Sequence, residues 1–266
     1  MRSFQVNTTA RRAAAALALI GTGLAAAACS SDSGDDSTLT VCTNVPFEPF
    51  EFQENGEYVG FDIDLMNVLA ERLDQTVEIV EIDLDSIASG SALNAGTCDI
   101  AAAGLSITEE RQAAMGMSQA YYRADQALVV PSDSAVATLE DLSGLKVGVQ
   151  SASTGEAYAN DNTAEFGYEP VAFESMGDIA SALTSGSIDA SIADIATWND
   201  MIEEVPELKL VQTIETAEHY GFAVQKEDTA LLDEVNAMLD QAFEDGTYEE
   251  LYLKWIGEPY TGNLDQ

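Results

Sequence analysis

Basic residues are scarce: 10 lysines and arginines and one histidine stand against 47 aspartates and glutamates, a formal charge of −37 in 266 residues. A surface of that sign repels nucleic-acid phosphates and anionic headgroups, which excludes a nucleic-acid-binding role. Three cysteines and one histidine leave no Cys/His cluster of the kind that holds zinc, so neither metal nor cofactor is expected. His219 has no serine or cysteine pattern beside it to form a nucleophile and base, and it is read as a structural or surface residue. Acid pairs, so common here, carry no catalytic information. After residue 29 no apolar run approaches the about 20 residues of a membrane-spanning helix. The full chain is 46% hydrophobic, the composition of a globular chain rather than a disordered one.

The exception to this scarcity is the start. Arg2, Arg11 and Arg12 precede an Ala/Leu-rich run from 13 to 28, the pattern of a secretory signal peptide over residues 1–28. The stretch Leu24-Ala-Ala-Ala-Ala-Cys29 resembles a bacterial lipoprotein box, which implies lipidation of Cys29 and a membrane contact through that anchor only; Ala26 stands where leucine is usual. Residues 30 to 37 contain no apolar side chain, so 29–37 is expected to be a flexible tether. Past the leader, seven basic residues face 47 acidic ones. Either a saline habitat, where a Debye length of about 3 Å at 1 M salt screens self-repulsion, or ordinary solubility tuning accounts for such a balance.

The most informative stretch is Asp99 to Arg111, D-I-A-A-A-G-L-S-I-T-E-E-R. Its small apolar run reads as a buried strand, and polar residues begin where that strand should end. In an open α/β sheet ligands sit beyond the carboxyl ends of the strands, which puts Gly104, Ser106 and Arg111 in one crevice. A guanidinium fork, a hydroxyl and a backbone N–H beside glycine suit a carboxylate. The pattern S-A-L-N-A-G-T-C-D-I-A-A-A at 91–103 recurs as S-A-L-T-S-G-S-I-D-A-S-I-A at 181–193: a helix end, a glycine cap (Gly96, Gly186) and a strand opened by an aspartate (Asp99, Asp189). Two similar lobes follow, and the second strand ends in Asp194, suited to an ammonium. Carboxylate and ammonium together describe an α-amino acid.

Elsewhere, Leu39 to Thr43 reads as a first strand, with Phe47 beyond its end placed to wall the crevice. A helix starts at Gly60-Phe61, its N-terminus favoured by Asp62 and Asp64, and a half-buried strand runs over 77–82. Lys146 to Gln150 is a second-lobe strand. Ser153 and Thr154 then precede a helix, where they serve either as anion ligands or simply as caps. Lobe 1 is expected at 38–125, lobe 2 at 126–220, and a return to lobe 1 with C-terminal helices at 221–266. The two crossings make a two-strand hinge.

The blocks G-F-D-I-D-L (60–65), D-I-A-A-A-G-L-S-I-T-E-E-R, L-E-D-L-S-G-L-K-V-G-V-Q (139–150), S-T-G-E-A-Y-A (153–159) and D-G-T-Y-E-E-L-Y-L-K-W (245–255) together resemble the family 3 periplasmic solute-binding proteins, polar amino-acid receptors of ABC importers. The resemblance implies an α/β, two-lobe type II periplasmic-binding-protein fold, each lobe a mostly parallel sheet flanked by helices. It implies that Ser106 and Arg111 bind the α-carboxylate with Ser153 or Thr154, that Asp194 binds the α-amino group and that Phe47 stacks on the ligand. Ala103 and Gly104 line the site where some relatives carry hydroxyls, and Leu84 to Ser91 is about two residues longer than usual. Expected partners are a free amino acid and a cognate permease and ATPase complex, with the chain monomeric. In the implied fold the strands bearing Cys42 and Cys98 are neighbours and an exported protein oxidises thiols, but Cys98 lies at the wrong end of its strand for bridging.

Amides at Asn44 and Gln150, beside Phe47, favour a neutral polar ligand such as glutamine, because relatives that take cationic amino acids tend to have an acid in place of Asn44. Glu48 or Glu51 would reverse that preference. Two rivals share the fold: a cyclohexadienyl-type dehydratase and the ligand-sensing module of a receptor.

Overall fold

A computed structural model describes residues 37–262 and 264; the leader, Cys29 and all but the last residue of the tether lie outside the described residues. The chain opens with β1 (Thr38–Thr43), forms a short hairpin of β2 (Phe52–Glu54) and β3 (Glu57–Val59), and enters α1 (Phe61–Arg72). Then come β4 (Thr76–Glu81), α2 (Leu84–Ala88), α3 (Ser91–Asn94), β5 (Ile100–Ala101), α4 (Glu109–Ala114) and β6 (Gly116–Met117). The long β7 (Tyr122–Pro131) leads to a second set: β8 (Lys146–Gln150), α5 (Thr154–Phe166), β9 (Glu169–Phe173), α6 (Met176–Thr184), β10 (Ala190–Asp194) and α7 (Ile195–Glu204). The equally long β11 (Leu208–Tyr220) returns the chain to β12 (Ala223–Val224), α8 (Thr229–Asp245) and α9 (Thr247–Ile256).

Two five-stranded sheets result, in the orders β4-β1-β5-β12-β6 and β11-β7-β10-β8-β9. Each is half parallel and half antiparallel rather than mostly parallel. The parallel pairs belong to strand–helix–strand units, β1 with β4 and β5, and β8 with β9 and β10; strands close to a crossing, such as β7, β11 and β12, enter the opposite way. The helices bury the faces their spacing dictates: Leu65, Met66 and Leu69 of α1, and Val235, Met238, Leu239 and Ala242 of α8. The crossings are β7 and β11, paired antiparallel from Leu208 opposite Pro131 to Tyr220 opposite Tyr122.

The internal repeat has a concrete physical basis. Gly96 and Gly186, at φ 69° and 72°, end α3 and α6 in the left-handed region that lacks a Cβ penalty only for glycine. The chain then turns so that Asp99 and Asp189 meet the start of the neighbouring parallel strand. Asp99 Oδ2 accepts the Thr40 N–H at 2.8 Å and its own N–H donates to the Thr40 carbonyl at 2.9 Å. Asp189 repeats both bonds with Lys146, at the same lengths. Each aspartate therefore acts as a two-bond clasp that fixes strand register. The helical segment ahead of Gly96 is in two pieces, α2 and α3, divided at Gly90, whose φ is 73°.

Cys42 and Cys98 are joined by a disulfide, against the expectation that Cys98 lay too far along its strand. Extended back from β5, Cys98 would sit beside Leu39. The turn that seats Asp99 instead folds it over β1 and brings the two Cα atoms to 5.6 Å, inside the bridging range. Both sulfurs lie in an apolar cluster with Leu93, Ala101 and Met115. A non-reducing peptide map should recover the two cysteines in one linked species, and the Cys42→Ser/Cys98→Ser variant should lose about 2 to 4 kcal/mol in chemical unfolding. Two free thiols in the purified protein would refute the bridge.

Candidate functional site

Asn44, Phe47, Ala103, Gly104, Ser106, Arg111, Gln150, Ser153, Thr154 and Asp194 all border one cavity between the two sheets, together with Glu51, Leu84 and Leu105. The convergence follows from topology: Asn44 trails β1, residues 103–106 trail β5, and Gln150 and Asp194 end β8 and β10. These are the carboxyl ends of parallel strands, where the backbone turns away and leaves a crevice.

Arg111 comes from α4, whose first turn is capped by the Thr108 hydroxyl on the Arg111 N–H at 3.1 Å. Its guanidinium is 7% exposed and spans the cleft: Nη1 donates to the Ser106 carbonyl at 2.9 Å and Nη2 to the Ala152 carbonyl at 3.0 Å. Two of five N–H groups are thereby fixed, which orients the fork and leaves the rest for an anion. Burial lowers the guanidinium pKa, opposed by Asp194 and Glu218 nearby. Of the two hydroxyls before α5, Ser153 is the cap: its Oγ accepts the Glu156 N–H at 3.0 Å and donates to the Gln150 carbonyl at 2.7 Å. Thr154 is the one that turns its hydroxyl to its neighbours in the cleft, at 3.4 Å from Ser106 Oγ.

Asp194 is 7% exposed and accepts the Tyr220 hydroxyl at 2.5 Å. Burial, then the carboxylate of Glu218, raises its pKa to about 7, with the Tyr220 bond, Gln126 and Arg111 pulling the other way. Tyr220 and Glu218, two residues apart on one face of β11, were not foreseen as site residues. The strand alternation of A-E-H-Y-G offered a signal, since it puts Glu218 and Tyr220 on one side and His219 on the other. His219 is half-buried with Nε2 at 3.2 Å from the Leu264 carbonyl.

At the other end of the cavity, Gln150 Nε2 donates to Asn44 Oδ1 at 2.8 Å and to the Glu174 carbonyl at 3.3 Å, while Asn44 Nδ2 donates to the Ile82 carbonyl at 2.8 Å. The two amides thus bind each other across the cleft. Gly104 lies under the Phe47 ring: a Cβ there would meet Phe47 Cε1 at 2.4 Å, and φ is 49°, so a hydroxyl residue has no room. Leu84 also borders the cavity. Glu51 is fully buried and no neutral or cationic group donates to either oxygen; its hydrogen-bonding neighbour is the Asp62 carboxyl, with which it can share a proton. Burial, then the neighbouring Asp62 carboxylate, raises its pKa well above the ordinary range. Asp62, read from the sequence only as favouring the helix N-terminus, is buried; it accepts the Tyr121 hydroxyl at 2.6 Å and the Gly104 N–H at 3.1 Å.

The sequence pattern of the bacterial extracellular solute-binding proteins, family 3, matches residues 39–258. The chain belongs to that family. Among family 3 relatives, the "Probable histidine-binding protein" of Neisseria gonorrhoeae is 32% identical, over 91% of this chain and 95% of its own length. Two solved structures of an ancestral arginine-binding protein are similar. One, bound to arginine, has TM-score 0.78 and 38% identity over 82% of this chain and 98% of that one. The other, bound to glutamine, has TM-score 0.79 and 39% identity over 84% and 99%.

In this family 3 chain Asp194 carries a pH signature. Its pKa is 3.8 as a free side chain and about 7 when folded, so the folded chain holds the proton more tightly. Stability is therefore full below about pH 4 and declines as pH rises through 7. Asp194→Asn keeps an acceptor for Tyr220 and should be more stable than the parent at pH 8, on the order of 2 to 4 kcal/mol, with the advantage gone near pH 4. Thermal unfolding at several pH values checks this; an Asn variant less stable at pH 8 would contradict it.

Proposed function

We propose that the cavity binds a free polar L-amino acid without turnover, as the extracellular substrate-binding component of an ABC importer. One observation carries the assignment: a buried guanidinium, Arg111, and a buried carboxylate, Asp194, border the same cavity and make no ion pair with each other. Each is left to pair with a ligand that carries both opposite charges. Arg111 takes the α-carboxylate, aided by the N-terminus of α5, and Asp194 the α-ammonium, with the Phe47 ring against the ligand. Passage of the ligand to a permease and ATPase complex, a monomeric state and tethering through lipidated Cys29 complete the proposal; intact-mass measurement of the exported protein tests the tether.

For the side chain, the geometry moves the balance from a neutral amide toward a cation. Of the amides that favoured glutamine, Gln150 has committed both its N–H groups, to Asn44 Oδ1 and the Glu174 carbonyl, and Asn44 one of its two, to the Ile82 carbonyl. Glu51 is a buried acid on the cavity wall whose hydrogen-bonding neighbour is a second buried acid, Asp62, and an arginine, lysine or histidine side chain supplies the positive charge that pair lacks. The names of the relatives, for histidine and for arginine, agree with that; the glutamine-bound ancestral structure keeps the neutral alternative open.

Calorimetric titration separates these statements. Arg111→Ala and Asp194→Ala should each weaken binding by about 2 to 5 kcal/mol, or about 30-fold to several-thousand-fold, because each leaves a buried ligand charge unpaired. Arg123→Ala, which removes the 3.5 Å ion pair to Asp125 on the crossing strand β7, should change affinity little. Glu51→Gln should cost a cationic ligand at least 10-fold and leave glutamine nearly untouched. Near-native affinity in Arg111→Ala overturns the carboxylate assignment, and glutamine binding tighter than every cationic amino acid restores the neutral preference. Recovery of unchanged ligand after incubation, by mass analysis, checks the absence of turnover.

A further inference from the structure

The Glu218 carboxylate lies where the two sheets meet. Its Oε2 accepts the Ser106 hydroxyl at 2.6 Å and the Thr154 hydroxyl at 2.5 Å, and its Oε1 accepts Gln126 Nε2 at 3.2 Å. Ser106 follows β5 of the first sheet, whereas Gln126 is on β7 of the second and Thr154 opens α5 just after β8 of that sheet. The position is built rather than incidental. Between Ile214 and Glu218 the register of β11 on β7 shifts by two residues, four steps on one strand matching two on the other. Asp125 Oδ1 fixes this bulge through the Thr216 N–H at 3.0 Å and the Ala217 N–H at 2.9 Å, with Ala217 at φ 51°. A bulge re-aims the side chains that follow it, and here it turns Glu218 onto the two hydroxyls.

A serine or threonine hydroxyl has one proton to donate. With both donated to Glu218, Ser106 and Thr154 present only lone pairs to any second carboxylate. A ligand carboxylate approaching Arg111 must therefore draw those protons away from Glu218 or face three oxygen acceptors and a negative charge. We propose that Glu218 is a built-in competing carboxylate: it holds the Ser106 and Thr154 donors across the cleft and thereby sets, and limits, the affinity for ligands with a charged α-carboxylate. This rests on the amino-acid assignment of the cavity and adds to it a residue that determines specificity for the ligand's main-chain end.

The test is calorimetric titration of arginine, histidine, glutamine and L-argininamide into the wild-type protein and Glu218→Gln. Gln keeps an acceptor and removes the charge. Glu218→Gln should bind whichever free amino acid the wild type binds at least 3-fold more tightly, and should not tighten argininamide, whose amide N–H groups Glu218 can accept. The gain should shrink by at least half in a Thr154→Val background, where one contested donor is gone; a general charge effect would survive that change. If Glu218→Gln loses its thermal unfolding transition, Glu218→Ala takes its place with the same expected direction. Unchanged or weaker amino-acid binding in the folded variant, or equal tightening of argininamide, overturns the competition while leaving the amino-acid assignment in place. A wild-type protein that binds none of the amino acids removes both.

Discussion

The site is governed by a shortage of positive charge. Two buried acids, Glu51 and Asp194, border one cavity with a buried guanidinium, Arg111, and two more acids, the buried Asp62 and the half-buried Glu218, lie behind its lining, bonded to Gly104, Ser106 and Thr154. Taking a carboxylate out of water is costly unless donors or a cation replace the lost solvation. One set of hydrogen bonds around the cleft answers that demand. Tyr121 and the Gly104 N–H serve Asp62, Tyr220 serves Asp194, and Ser106, Thr154 and Gln126 serve Glu218. What these neutral donors leave unmet shows as the raised pKa values of Glu51, Asp62 and Asp194. A zwitterion with a cationic side chain brings two positive groups and one negative group, and so reduces the imbalance that the chain alone cannot remove.

The features legible in the sequence were those set by local chemistry. The repeat at 91–103 and 181–193 was visible because each copy needs a glycine past its helix and an aspartate at its strand start, and both needs leave residue-level marks. Arg111 and Asp194 were legible because strand ends in α/β sheets point into one crevice. The choice between Ser153 and Thr154 was not, since capping and anion binding call for the same side chain at the same turn; the Glu156 N–H on Ser153 Oγ and the Thr154 hydroxyl on Glu218 separate them.

Features that depend on long-range register escaped. The disulfide turned on how the chain folds back between Gly96 and Asp99, and Glu218 on a bulge in β11 whose pairing with β7 bridges about 90 residues of sequence. Asp62 looked like a dipole-favouring acid because helix N-termini commonly carry one; its burial follows from Tyr121 and Gly104, which come from other parts of the first lobe. The mostly parallel sheets expected from strand–helix–strand units became mixed because strands close to the crossings run the other way.

The contact between Phe47 and Gly104 makes two positions into one. With 2.4 Å between the ring and where a Cβ would stand, the aromatic wall occupies volume that a side chain at 104 would claim. The width of the cleft at its aromatic end is thus decided by residue 104, from a different segment than the ring itself. Any larger residue there must push the ring outward, trading a flat surface against the ligand for a wider opening and a new polar or apolar group in its floor. Changing the wall by mutating Phe47 alone would leave that floor a bare glycine; recasting the pocket for a bulkier guest takes a paired change.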